Sequence, residues 1–294
     1  MAINCLQCSV PHQVLTHYIC LFDNMLSNHN TCLWFDDYIS DPILIHNGTT
    51  QGCPLSMILY TYYNANLIDI ARGKHELPTG FVDDCAFVAT ADTLDETHSI
   101  LKNMMERANG GLEWSLFHNS PFELSKLAVM DFPRMSRDTA LSPLHINKMD
   151  PQGIVTPYTI SKVDTYKYLG VTFDPKLNWR PHTNRVTTKV IRWTQQLWRL
   201  VKTTGGLPPD RAWQLYNTIA VPALTYASEI WYVPPFKLAH SKNSRGSIAI
   251  TKKLHAIQGH ATRFITGGLE GTTFDVLKAH TNTLPIDLLF HKPN

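Results

Sequence analysis

Thr79-Gly80-Phe81-Val82-Asp83-Asp84-Cys85-Ala86-Phe87-Val88-Ala89-Thr90 is the stretch on which the reading of this chain turns. Two short β-rich runs, Thr79 to Val82 and Cys85 to Thr90, flank a pair of adjacent acids, which predicts a tight hairpin with both carboxylates at its tip. Aspartate suits turns and favours water, so an Asp-Asp pair there can be plain turn chemistry. Two carboxylates this close also repel each other unless a cation neutralises them. Hard divalent ions such as Mg²⁺ take oxygen ligands of this kind, and paired metals clamp the attacking and leaving oxygens of phosphoryl transfer. Both readings stand on these residues alone.

Working outward, Asn47-Gly48-Thr49-Thr50-Gln51-Gly52-Cys53-Pro54-Leu55-Ser56 lies upstream. Proline is well tolerated at a helix's first position, and the apolar-rich stretch Met57 to Ile70 follows. Glycine-rich backbone ahead of a helix start permits close approach to phosphate, base or ribose; an ordinary loop and cap before a core helix has the same composition. Downstream, Phe122-Glu123-Leu124-Ser125-Lys126 leads into an apolar strand, Leu127 to Phe132. Tyr166-Lys167-Tyr168-Leu169-Gly170-Val171-Thr172-Phe173-Asp174 reads as a strand turning at Asp174-Pro175.

Taken in order, these segments resemble the reverse transcriptases of retrotransposons without long terminal repeats (non-LTR, LINE-like). In that family a Gln-Gly-x-Pro-Leu-Ser loop and helix precede a Phe/Tyr-x-Asp-Asp hairpin, then a Lys-containing strand, then a Tyr-x-Tyr-Leu-Gly strand. The resemblance continues through Leu254-His255-Ala256-Ile257-Gln258, Arg263-Phe264-Ile265-Thr266-Gly267-Gly268, Thr272-Thr273 and Leu284-Pro285-Ile286, like the tail that follows the polymerase region. It implies an α+β right-hand polymerase palm, an antiparallel sheet with helices, in residues 1–177. A mostly helical thumb in 178–236 and a helical tail in 247–294 follow, the tail leading toward a ribonuclease H domain.

The same resemblance implies template-directed DNA synthesis with Mg²⁺, an RNA template, a DNA primer and deoxynucleotides. Asp83 and Asp84 would be the metal-binding carboxylates. Phe81 and Val82 would lie near the primer end, with Gln51 and Gly52 close to template and incoming nucleotide. Lys126 would protonate the leaving pyrophosphate; a lysine covering a sheet edge is the structural alternative. Tyr168, Leu169 and Gly170 would form the primer grip.

Departures from the family pattern shape the functional expectation. The family's first catalytic Asp lies on a strand before the helix expected at Val14 to Leu26, and nothing before Cys8 is acidic. Phe35-Asp36-Asp37-Tyr38 does not replace it. That stretch reads as a turn between antiparallel strands Thr31–Phe35 and Ile43–His46. The fingers region is also absent. The expectation is an N-terminally truncated polymerase, inactive or nearly so alone. The alternatives are a non-catalytic nucleic-acid-binding remnant and a degraded transposon copy.

Composition adds an asymmetry. The 294 residues are 44% hydrophobic, enough for one large or two modest domains. A net charge of +2 conceals 8 Lys and Arg against 17 Asp and Glu in residues 1–150, and 18 against 7 in residues 151–294. A basic back half suits phosphate backbones, and equally a merely soluble surface. On Arg185 to Val201, Val186, Val190, Trp193, Leu197 and Leu200 share one helical face, beside a stripe of Arg185, Lys189, Arg192 and Arg199. That stripe is either a solvated surface or, in the thumb that the resemblance implies, a track for the primer–template backbone.

All six cysteines lie at or before position 85. Cys5 and Cys8, with His12 nearby, lack the second pair a zinc site needs. Cys20, Cys32, Cys53 and Cys85 sit in apolar runs and read as small core residues, which suggests a reducing compartment. Neither a signal-peptide pattern nor a membrane-length apolar run is present, so an intracellular chain, nuclear or cytoplasmic, without a membrane anchor is expected. Further expectations are a helix from Pro54 to near Gly73 and an amphipathic helix over Thr93 to Glu113 capped by Thr93 and Glu96. Polar, Pro-punctuated residues 134–158 could hold a hairpin, and Tyr168–Phe173 would close the palm sheet. Asp210 would cap a second thumb helix, Lys237 to Gly246 would be a linker, and helices would cover Ser247–Thr266 and Thr273–His280.

Overall fold

The computed structural model describes residues 16–45, 48, 52–134, 143–149, 154–201, 205–237 and 244–290. The chain divides into two compact units, residues 1–164 and 165–294. Both mix helices with small sheets, in keeping with an α+β class.

The first described elements of this unit are α1 (Thr16–Leu26) and two separate two-stranded ladders, in which β1 (His29–Thr31) pairs β4 (Ile43–Ile45) and β2 (Trp34–Phe35) pairs β3 (Tyr38–Ile39). Phe35 faces Tyr38, so Asp36 and Asp37 form a two-residue loop; the turn falls where expected, but Trp34 and Phe35 pair with Ile39 and Tyr38 rather than with the strand at Ile43. Cys20 and Cys32 are exposed here rather than in a core. The Cys5–Cys8 pair lies outside the described residues.

Helix α2 (Pro54–Ile68) starts with Pro54 in its first turn and buries Ser56, Leu59, Tyr63, Asn64 and Leu67 along one side. It stops at Ile68, short of Gly73. Hairpin strands β5 (Glu76–Phe81) and β6 (Asp84–Ala89) follow. Next, α3 (Leu94–Glu106) begins with the expected capping box between Thr93 and Glu96.

The helix expected through Glu113 is in fact two, because α4 (Gly111–Phe117) starts afresh after Gly110. Both glycines are set by crowding. A Cβ on Gly110 would sit 2.7 Å from the carbonyl oxygens of Met104 and Arg107, and one on Gly111 would lie 3.1 Å from Met105 Sδ and Phe87. A single 3₁₀ turn, Leu124–Lys126, leads into the short β7 (Ala128–Val129). β8 (Leu144–Met149) and β9 (Val155–Lys162) make the hairpin expected in the polar region. The sheet order is β7-β9-β8, with β7 parallel to β9, so it is not purely antiparallel.

Phe87 packs against both cores of this unit. One holds Met105, Leu112, Val129, Ile146 and Ile160; the other holds Tyr63, Leu67, Ile70 and Trp114. Phe87 is itself only partly buried, and its packing on both cores anchors the hairpin's inner face.

The second unit begins with hairpin β10 (Tyr166–Tyr168) and β11 (Val171–Phe173), which turns at Leu169-Gly170. This pair is its own two-stranded ladder and does not close the sheet of the first unit. Asp174 then starts the long α5 (Arg180–Leu200) by accepting the backbone N–H groups of Asn178 and Trp179. After residue 204, α6 (Pro209–Leu215) begins at Pro209, without a cap from Asp210. It runs through a π-helical turn, Tyr216–Ala220, into α7 (Val221–Thr225). Pro222 has no N–H and its ring would strike the preceding turn of a regular helix; the widened turn makes room for it.

Helix α8 (Ser228–Trp231) leads to β12 (Phe236–Lys237), which pairs with β13 (Ser244–Arg245) across the expected linker. α9 (Ile248–Thr266), α10 (Phe274–Thr281) and α11 (Ile286–Leu289) complete the unit. Its core joins Val186, Val190 and Leu197 to Tyr216, Leu224, Leu254, Ile257, Ala261 and Ile265. Within it, burial pushes the Tyr216 phenol up to about 12. No helix among the described residues is long and apolar enough to cross a membrane.

Candidate polymerase site

The register Phe81↔Asp84 leaves Val82-Asp83 as a two-residue loop. Directly paired residues point to the same face. Gly80 with Cys85, and Pro78 with Phe87, therefore face the helices, and a Cβ on Gly80 would meet Ile68 Cδ1 at 3.0 Å. Phe81, Asp84, Leu77 and Val88 share the opposite, exposed face. Asp83 and Asp84 are both exposed, and neither forms an ion pair among the described residues. Burial, reinforced by the charges of Asp84 and Asp83, pushes the Cys85 thiol up.

Val82 carries a left-handed backbone, φ 55°. Its carbonyl accepts a hydrogen bond from the side-chain amide of Asn64 on α2. In the sequence Asn64 is one of the few polar residues in the apolar-rich stretch Met57 to Ile70. Its signal was its place beside Tyr63 on the buried stripe, where an amide must find a partner.

The base of the hairpin is clamped as well. Arg107 donates to both carboxylate oxygens of Glu76 at 2.7 Å. Those hydrogen bonds hold the Glu76 carboxyl below its ordinary value. Near β7, the buried Asp131 accepts from His98 at 2.7 Å and pairs with Lys162 at 2.9 Å. Burial works to raise this carboxyl, but the hydrogen bonds and charges of His98 and Lys162 outweigh it, and the group titrates below its usual range.

Lys126 lies exposed in the 3₁₀ turn rather than on the expected strand. Gly52 is exposed, at φ 87°, one residue before the cap of α2. Gln51 lies outside the described residues. Among the described residues no group of three His, Cys, Asp or Glu could hold a metal. The donor set present is thus two hard oxygen ligands, which suits Mg²⁺ in kind but is incomplete in number.

In the second unit, Leu169 and Gly170 both have positive φ, 46° and 82°. Tyr226 donates its hydroxyl to the Leu169 carbonyl at 2.7 Å, and its ring covers Gly170 so closely that a Cβ there would sit 2.9 Å away. His182 accepts the N–H of Thr172 on Nδ1 at 3.1 Å, which leaves its proton on the buried, unpartnered Nε2. Burial, with the neighbouring Arg185 charge, holds this imidazole below its ordinary value.

On α5 the buried side is His182, Val186, Thr187, Val190, Thr194 and Leu197. Trp193 is only half-buried and Leu200 is exposed, which corrects the face read from periodicity. Arg185, Lys189, Arg192 and Arg199 are all exposed, and none is ion-paired among the described residues. Arg185 reaches Thr172 Oγ1 at 3.4 Å, so the basic face begins beside the β10–β11 hairpin.

Three curated proteins are similar to this chain. Over 194 residues, 64% of the chain, it is 25% identical to the RNA-directed DNA polymerase from mobile element jockey of Drosophila funebris. Over 265 residues, 89% of the chain, it is 23% identical to the probable RNA-directed DNA polymerase from transposon X-element of Drosophila melanogaster. Over 225 residues, 74% of the chain, it is 23% identical to that from transposon BS of the same fly. The chain spans 19% to 26% of the length of these relatives. No family model and no solved structure matches it. The similarity supports the resemblance to non-LTR reverse transcriptases, with this chain corresponding to one part of them.

Proposed function

We propose that this chain is the catalytic-hairpin and thumb portion of a non-LTR retrotransposon reverse transcriptase, an RNA-directed DNA polymerase that needs residues outside this stretch to work. One observation carries the reading. Two adjacent carboxylates stand exposed and unpaired on a hairpin whose other face is packed and whose tip is fixed by a buried amide. Asp83 and Asp84 would hold Mg²⁺, which when bound stabilises attacking and leaving oxygens of nucleotidyl transfer. Phe81 and Val82 would border the primer end, Lys126 would stand ready to donate a proton, and Gln51 with Gly52 would line the nucleotide approach. Residues Tyr168, Leu169 and Gly170 would grip the primer, and α5 would follow its phosphates with Arg185, Lys189, Arg192 and Arg199.

With only two of three expected carboxylates, the isolated chain should not extend a primer. Incubation with Mg²⁺, an RNA template, a DNA primer and deoxynucleotides tests this. Robust extension that Asp83→Ala abolishes would overturn the inactive-fragment reading. A second reading, nucleic-acid binding without chemistry, is favoured by the unpaired basic face of α5. It requires binding to an RNA–DNA hybrid that is indifferent to Mg²⁺ and to Asp83→Ala.

A further inference from the structure

Among the described residues three hairpins close through two-residue loops, and in each the first loop residue is left-handed: Asp36 at φ 48°, Val82 at 55°, Leu169 at 46°. A backbone carbonyl at such a tip lies outside the strand ladder and must find its donor elsewhere. Each finds a side chain. Asp36 accepts the Trp34 indole N–H at 2.9 Å, Val82 the Asn64 amide, and Leu169 the Tyr226 hydroxyl. The first donor is local; the other two come from elements 18 and 57 residues away.

Val82 is the most demanding of the three, because a β-branched side chain is a genuine outlier at positive φ. Such conformations persist only when the surroundings over-determine them. Asn64 is 4% exposed, and its Oδ1 is buried without a partner among the described residues. The bond to Val82 is thus the chemistry that an amide supplies here and an apolar side chain of the same size would not.

We propose that Asn64 is a positioning residue, holding Val82 in the left-handed conformation that keeps the Asp83 and Asp84 carboxylates together above the hairpin. This rests on the reading of that pair as the metal-binding carboxylates. The amide does not touch the metal or the substrate; it sets where the ligands stand. Glycine reaches positive φ without steric cost, so Val82→Gly should make the loop independent of Asn64.

The test is Mn²⁺ binding to the full chain, followed by paramagnetic broadening of the amides of residues 80–86, with Asp83→Ala as the loss-of-site control. Asn64→Leu should fold normally, since it removes an orphaned buried oxygen, yet need about tenfold more Mn²⁺ for the same broadening. Adding Val82→Gly to Asn64→Leu should restore the parent response to within about twofold. An unchanged response in Asn64→Leu, or a failed restoration, overturns the proposal.

A metal-free measurement separates this from the metal reading itself. In Mn²⁺-free protein the Val82 carbonyl carbon resonance should shift in Asn64→Leu while amides of α9 do not. If the parent binds no Mn²⁺, the carboxylate pair of this chain does not hold a metal by itself, and the positioning proposal fails with that reading. If the parent binds Mn²⁺ but the Val82 resonance stays put, only the positioning role fails.

Discussion

At the scale of single residues, the turn formers decide most. Gly170→Ala would strain a left-handed position and press a methyl against the Tyr226 ring. A loss of about 2 kcal/mol in chemical unfolding is expected, with Tyr226→Phe losing about 1 kcal/mol through the hydroxyl alone. At the hairpin base, Glu76→Ala leaves the nearly buried Arg107 guanidinium without its carboxylate. Unfolding in urea should show a loss of about 3 kcal/mol. The acids at the tip were legible in the sequence, because turn chemistry is local; the turn at Leu169-Gly170 was not, since Tyr166 to Asp174 reads as one strand turning at Asp174-Pro175 and folds as a hairpin. Asn64, Tyr226 and His182 were not, because each acquires its meaning from a partner that only folding delivers. Cys20 and Cys32 misled for the converse reason: an apolar neighbourhood in sequence does not place a side chain in a core.

Elements were read well where the signal lay at their ends. The Thr93–Glu96 box starts α3 as expected, and Thr93→Ala should cost about 1 kcal/mol in thermal or urea unfolding. The split between α3 and α4 was missed because two glycines look like a stop whether or not another helix follows. Asp210 as a cap failed because Pro209 already supplies the first turn. On α5 the buried stripe includes threonines and a histidine, which periodicity counted by hydrophobicity overlooks. Its basic face remains the element's clearest property. Binding of the chain to an RNA–DNA hybrid should weaken as salt rises. Replacing Arg185, Lys189, Arg192 or Arg199 singly by glutamine should each lower the slope of log affinity against log salt by about 0.7 to 0.9. Slopes unchanged in all four variants would remove α5 from the nucleic-acid interface.

Over the whole molecule, two units with different titrating groups predict acid unfolding in two stages. His182 sits below its ordinary value of 6.5, so an unfolded second unit takes up a proton that the folded one refuses. Stability of residues 165–294 should fall as pH drops from about 6.5. Glu76 and Asp131 are held below their ordinary values of 4.5 and 3.8, so their contribution is complete above those values and is lost only as pH falls through the lowered ones. Calorimetry of the full chain between pH 7 and pH 3 should therefore show the second unit melting earlier first. His182→Gln should flatten the change near pH 6. The sequence forecast an acidic half and a basic half, but not this division, since composition does not say which charges become buried. One part of the first unit has a different consequence. The two ladders of β1 to β4 leave Leu33, Trp34, Phe35, Tyr38, Ile39, Ile43, Leu44 and Ile45 each more than 40% exposed. A polypeptide carrying so much oily surface on short strand pairs will be adhesive in the test tube. Dyes that brighten on greasy patches will stain it while folded, and it will need dilute, detergent-softened buffers to stay dispersed.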